Sequence, residues 1–187
     1  MMDAIELLRT MRAVRRFSPE PIPRDVLLDI LETSRWTGSA KNTQPWELLV
    51  MRDRETLQEV ANLAPLGAHV AGAQAAIALI MNRPTAGFDE GRLAQTLMLA
   101  AWARGVGSCI ASIFPEENVE GAKALLGVPA DLTLRTVISL GYPADPDALS
   151  LSASARRGDA VPTIPIGRKP LEELVSWERF STRVEPA

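Results

Sequence analysis

The uninterrupted apolar run Ala75-Ala76-Ile77-Ala78-Leu79-Ile80-Met81 constrains the fold of this chain more than any other feature. Apolar residues in succession, with no polar residue alternating between them, read as a buried strand. The run is far too short to cross a bilayer, which takes roughly 20 residues as a helix, so no membrane partner is expected. Three more segments read as strands: Leu48–Met51, Ser108–Ile113, and Leu132–Leu140, the last closed by Gly141-Tyr142-Pro143.

Helical spacing fills the intervals. Asp3 followed by Glu6 forms a capping box for a helix carrying Ile5, Leu8 and Met11 on one stripe. Pro23 opens a helix reaching Trp36, with Val26, Leu27, Ile30 and Leu31 as its apolar face. Arg54–Leu63 reads as a short helix. Asp89–Arg104 is the longest, turning Leu93, Leu97, Ala100 and Ala101 inward and stopping at Gly105. Pro115 starts Glu116–Leu126, which Gly127 ends. From Asp145 to Gly167 the chain turns rich in Pro, Ser, Ala and Gly and loses its period, and a short helix Leu171–Trp177 follows. We expect one domain over 1–187, whose 145–187 segment is an extended arm suited to wrapping a partner subunit.

Composition narrows the chemistry. Aromatic content is 5%, so aliphatic residues carry the core. A net charge of −3 gives no sign of nucleic acid as a partner. Cys109 is the single cysteine and His69 the single histidine. One of each excludes an internal disulfide and a cysteine zinc cluster, and argues against a multi-histidine metal centre. With no basic region and long apolar stretch at the N-terminus, these counts lead to the expectation of a cytoplasmic protein without metal. No Gly-x-Ser-x-Gly elbow, Walker loop or Gly-x-Gly-x-x-Gly occurs, and Gly105-Val106-Gly107 follows a helix, the wrong order for a dinucleotide fingerprint. Cys109 lies in an apolar strand as a packed small hydrophobe, and His69 reads as a satisfied structural histidine rather than a base.

Three polar patches remain. The turn Gly38-Ser39-Ala40-Lys41-Asn42-Thr43-Gln44-Pro45-Trp46 gathers hydroxyl and amide groups that both donate and accept. Such a set suits a flat heterocycle such as a flavin or a base, and equally an ordinary polar turn closed by Pro45. Arg12, Arg15 and Arg16 end the first helical region, and Arg168 and Lys169 follow the arm. Guanidinium groups hold phosphate bidentately, whereas a run of Arg is more usually a solvated face.

Together these segments resemble the FMN-dependent nitroreductase family over nearly the whole chain. Arg12-Ala13-Val14-Arg15-Arg16-Phe17 is similar to its basic N-terminal motif, and Ser39 to Trp46 to its ring-binding turn. Asp89–Ala101 is similar to its central helix, with Gln95-Thr96 where a Gln-Asn pair is usual. Gly105-Val106-Gly107-Ser108-Cys109, Leu140-Gly141-Tyr142-Pro143 and Arg168-Lys169-Pro170-Leu171 match later landmarks. The resemblance implies an α+β fold, a mixed and mainly antiparallel sheet flanked by helices, in an intertwined homodimer with FMN at the interface. It implies that Arg12, Arg168 and, more weakly, Lys169 hold the phosphate. Arg15 lies toward the phosphate or a ring carbonyl, and Ala13 and Arg16 complete the motif. Ser39, Ala40, Asn42 and Gln44 line the ring or ribityl chain, some from the second subunit. Ser112, followed by Ile113, presents a backbone N–H to flavin N5, and Trp46 packs beneath the site.

No side chain is then required as a catalytic base or nucleophile, because the flavin carries the chemistry. NADH or NADPH gives hydride, leaves, and a small-molecule acceptor such as a nitroaromatic or quinone takes electrons. Reductive dehalogenation, oxygen-dependent flavin breakdown and non-catalytic flavin storage or sensing are the alternatives. Three departures stand out: Met11 and Ala13 replace Arg and Ser, Thr96 replaces Asn, and the 62–89 segment is short. The last implies an open pocket.

Overall fold

The computed structural model describes residues 4–82, 87–145 and 169–181. Five helices, α1 (Ala4–Thr10), α2 (Arg24–Arg35), α3 (Arg54–Leu63), α4 (Gly87–Trp102) and α5 (Glu116–Leu126), alternate with four strands. The strands are β1 (Trp46–Met51), β2 (Ala75–Met81), β3 (Gly107–Ser112) and β4 (Thr133–Gly141), and a short α6 (Leu171–Leu174) follows. The helix ends have local causes. Asp53 accepts the Thr56 N–H at 2.9 Å and caps α3. Gly127 ends α5 in the left-handed region (φ 66°), and Gly105 does the same after α4 (φ 73°). The last helix stops at Leu174 rather than Trp177, and α4 begins at Gly87, two residues earlier than its pattern suggested. Asp3 and most of the arm, 146–168, lie outside the described residues.

The strands form one antiparallel sheet in the order β1-β2-β4-β3. All of β2 is buried, and its two sets of alternate residues enter two separate cores. Ala75, Ile77 and Leu79 pack with Leu27 and Ile30 of α2 and Leu93 and Leu97 of α4. Ala76, Ala78 and Ile80 pack with Leu57 and Val60 of α3 and Val119 and Ala122 of α5. The apolar run is therefore explained: helices cover both faces of the central strand. A register shift between Leu79 and Ile80 of β2 lets Leu134 and Val137 of β4, three residues apart, share one core. The fold is α+β, and no described helix is long and apolar enough to cross a membrane.

The segment after α1 is held against the β3–β4 end of this sheet. Val14 N–H donates to the Ser108 carbonyl at 2.9 Å, Ser18 N–H to Tyr142 at 2.8 Å, and Ala144 N–H to Arg16 at 3.0 Å. Two glycines permit the approach. A Cβ on Gly107 would come within 2.7 Å of Val14, and one on Gly141 within 2.7 Å of Phe17. Gln74 adds a side-chain tie, donating to the Ser18 carbonyl at 2.8 Å while accepting from Arg54 at 2.9 Å. This docking fixes where the basic motif stands.

Candidate functional site

The docked segment, β3 and α4 enclose a cavity of about 350 Å³. Met11, Arg12, Ala13 and Arg15 line it from the segment, Met98 from α4, and Ser108, Cys109 and Ile110 from β3. Its size falls within the common range for small-molecule sites. Arg12 is half-buried, with Nη1 donating to the carbonyls of Arg9 at 2.9 Å and Met11 at 2.8 Å, which seats a cation on the C-terminal end of α1. Arg15 and Arg16 are exposed. Ile113 N–H donates inward to the Arg135 carbonyl at 2.8 Å. Strand alternation then turns the N–H of the exposed Ser112 outward, off the edge of β3, while the Ile113 side chain is buried.

The turn before β1 is strained. Lys41, Asn42 and Gln44 have φ of 54°, 54° and 46°, a region that costs a residue with a Cβ roughly 1–2 kcal/mol. The Ser39 hydroxyl holds the turn closed by accepting the Gln44 N–H at 2.8 Å. Ser39 is half-buried, and Ala40, Asn42 and Gln44 are exposed. Gln44 lines a second cavity, about 550 Å³, with Trp46 and Leu48 of β1 and Leu28, Leu31 and Arg35 of α2. Trp46 is half-buried against the α2–α4 core. Within one chain the basic segment and the turn therefore open on different cavities.

Beneath the first cavity lies a polar chain with no counterpart in the sequence pattern. Ser139 donates its hydroxyl proton to the Cys109 carbonyl at 3.2 Å, and Ser139 Oγ stands 2.8 Å from His69 Nδ1. The buried His69 Nε2 has no hydrogen-bond partner among the described residues. Burial holds His69 below the ordinary imidazole value; the Arg15 guanidinium pushes the same way and the Ile110 backbone opposes. Burial raises the Cys109 thiol, and Arg15 beside it works in the opposite sense. A buried thiol so held is a packed small residue, not a nucleophile.

Other expected site residues are placed differently. Lys169 is exposed, and Arg168 lies outside the described residues. The hydroxyl of Thr96 donates to the Arg92 carbonyl of its own helix at 2.9 Å, so it is committed to α4 rather than offered to a ligand. Sequence reasoning passed over Phe88 and Arg92. Phe88 is 80% exposed, and the Arg92 guanidinium stands over its ring, 5.8 Å from the centroid. Arg92 also lies against Gly38, where an added Cβ would come within 2.8 Å of Nη2. A helical period marks a helix but does not show which loop its exposed face will meet, so no sequence signal pointed there.

The donor set fits FMN by its chemistry: guanidinium groups beside a cavity, an outward backbone N–H on β3, and amide and hydroxyl groups on a rigid turn. Comparison with known proteins agrees with the fold. The family model described as "Nitroreductase family" matches residues 8–86 and 81–142. A protein of Methanothermobacter thermautotrophicus, provisionally named NADH dehydrogenase/NAD(P)H nitroreductase, is 32% identical over 151 residues, covering 77% of this chain and 79% of the relative. An NADH dehydrogenase of Thermus thermophilus is 26% identical, covering 95% of this chain and 97% of its own. The FMN-dependent nitroreductase of Clostridium difficile R20291 superposes with a TM-score of 0.71 at 23% identity, covering 75% of this chain and 88% of that one, a likeness that speaks to fold alone.

Proposed function

The chain belongs to the Nitroreductase family of oxidoreductases, and we propose that it binds FMN and works as an NAD(P)H oxidoreductase on nitroaromatic, quinone or similar acceptors. The observation that carries this reading is the complementarity of its two patches. One is cationic, beside a cavity at the β3 edge; the other is a strained turn rich in amides. They open on different cavities of one chain, which supports a cofactor shared between two copies in a homodimer. Exposed apolar residues on α1 (Ile5 57%, Leu8 55%) and Phe180 (92%) support such an interface.

Bound FMN would accept hydride from NADH or NADPH and pass electrons to the second substrate. The chain's own residues bind and orient. Arg12 and Arg168 hold the phosphate, with Lys169 as a weaker neighbour. Arg15 stands toward a ring carbonyl, where a cation stabilises developing negative charge. Ser39, Asn42 and Gln44 bond the ring or ribityl chain. Ser112 directs its backbone N–H to the ring from the free edge of β3. A rigid turn fits this task because its groups need little reordering on binding. The cytoplasm, where NAD(P)H is available, is the compartment this reading requires. The test is the colour of the protein: reconstituted with FMN it is yellow, and anaerobic NADH or NADPH bleaches it. A protein that takes up no FMN would defeat the reading.

A further inference from the structure

Lys41 is the least explained residue of the turn. Its φ of 54° places a long side chain where glycine or asparagine is favoured. It is exposed and makes no ion pair among the described residues, whose bridges are Arg35–Glu32, Arg104–Asp29, Lys123–Glu120 and Arg135–Glu116. The fold gains nothing evident from a lysine there. Arg92 is likewise exposed and without an ion pair among the described residues, although Asp89 and Glu90 precede it on the same helix. It reaches the same turn at Gly38, with the exposed ring of Phe88 beneath its guanidinium. The turn thus carries a cation in its strained middle and a second at its start, next to an uncovered aromatic face.

We infer that Lys41 and Arg92 are specificity-determining residues that select aromatic acceptors carrying an anionic group, a carboxylate or sulfonate, over neutral ones. The inference rests on the reading that the turn borders the flavin ring, and it deepens that reading by naming a substrate class. An acceptor stacked near the ring leaves its charged substituent toward the turn. There Lys41 supplies a point charge and Arg92 a planar fork backed by an aromatic ring. The strain is consistent with this use, since strained backbone clusters where function keeps it.

The test uses the full-length, FMN-reconstituted protein with 4-nitrobenzoate and its neutral counterpart 4-nitrobenzamide. Binding to the oxidised protein is followed by the flavin spectrum, and turnover by steady-state kinetics. Wild type should bind the benzoate roughly three- to ten-fold more tightly at low ionic strength, as expected for partly exposed charge pairs, with the preference shrinking as salt rises. Lys41→Gln and Arg92→Gln should each raise the benzoate KM and leave kcat and the benzamide constants unchanged. Lys41→Arg should keep the preference. Lys41→Gly should lose the preference while raising Tm, which separates binding from folding. Equal constants for the two acceptors in wild type, or equal losses for both in the variants, would overturn the inference while the flavin reading stands. A protein that takes up no FMN overturns both.

Discussion

Replacing Gly107 by alanine tests whether close docking of the N-terminal segment builds the cationic cavity. The new Cβ would lie 2.7 Å from Val14 Cβ and Cγ2 and 2.9 Å from Cγ1. Ordinary carbon contacts need about 3.5–4.0 Å, so the segment must retreat by roughly 1 Å. These are backbone-proximal atoms of a β-branched residue, which has few other rotamers to adopt. Overpacking of this kind costs about 1–3 kcal/mol. The Val14 N–H to Ser108 bond, 2.9 Å in the native chain, would stretch beyond bonding range and forfeit about 1 kcal/mol more. The sum is a loss of roughly 2–4 kcal/mol in urea unfolding. Because Met11, Arg12, Ala13 and Arg15 move with the segment, FMN retention should fall as well. Val14→Gly removes the obstructing atoms, so the double variant should be more stable than the two single losses predict. Stability of Gly107→Ala within about 0.5 kcal/mol of wild type, or strict additivity with Val14→Gly, would refute the reasoning.

The same segment is tied by Gln74, and Gln74→Leu leaves the Ser18 carbonyl and the Arg54 guanidinium each short of a partner. A loss of about 1–3 kcal/mol in unfolding and weaker FMN retention are expected; unchanged cofactor retention would show that Ser18 plays no part in placing the motif. For His69 the folded pKa lies below the ordinary 6.5, so the unfolded chain binds more protons just under that value. Its contribution to stability is complete above about pH 6.5 and is lost as pH falls through the folded value. His69→Asn, which keeps a hydrogen-bonding group for Ser139 but cannot titrate, should flatten that acid limb in a series of unfolding curves, and an unaltered limb would assign the acid sensitivity elsewhere.

Much of the architecture was legible because each element carries its own local cause. The bounds of α3 and α5 match their patterns, since Asp53, Pro115 and Gly127 mark three of their four ends by side-chain or backbone chemistry alone. The apolar run of β2 announced burial on both faces. Strand order was not legible, because pairing joins segments far apart in the chain and leaves no local trace. For the same reason the roles of Gly107 and Gly141 stayed hidden: each looks like a turn glycine until Val14 and Phe17 are seen against it. The patches that could hold FMN were visible as residue types at known spacings. Their separation onto two cavities was not, nor was the chain from His69 to Ser139 across 70 residues, nor the meeting of Arg92 with Gly38. Lys41 and Arg92 themselves sit inside segments that resemble the family, and only the meeting of those segments across the fold sets them apart.

The proposed function requires this chain to pass electrons from a nicotinamide to an acceptor through bound FMN in two separable halves. The most direct measurement is anaerobic stopped-flow spectroscopy of the FMN-reconstituted protein, first mixed with NADH or NADPH and then, freed of nicotinamide, with a nitroaromatic or quinone. Loss of the oxidised flavin absorbance is expected in the first mix and its full return in the second, with no nicotinamide present. Flavin that neither nicotinamide reduces, or reduced flavin that the acceptors leave unchanged, would contradict it.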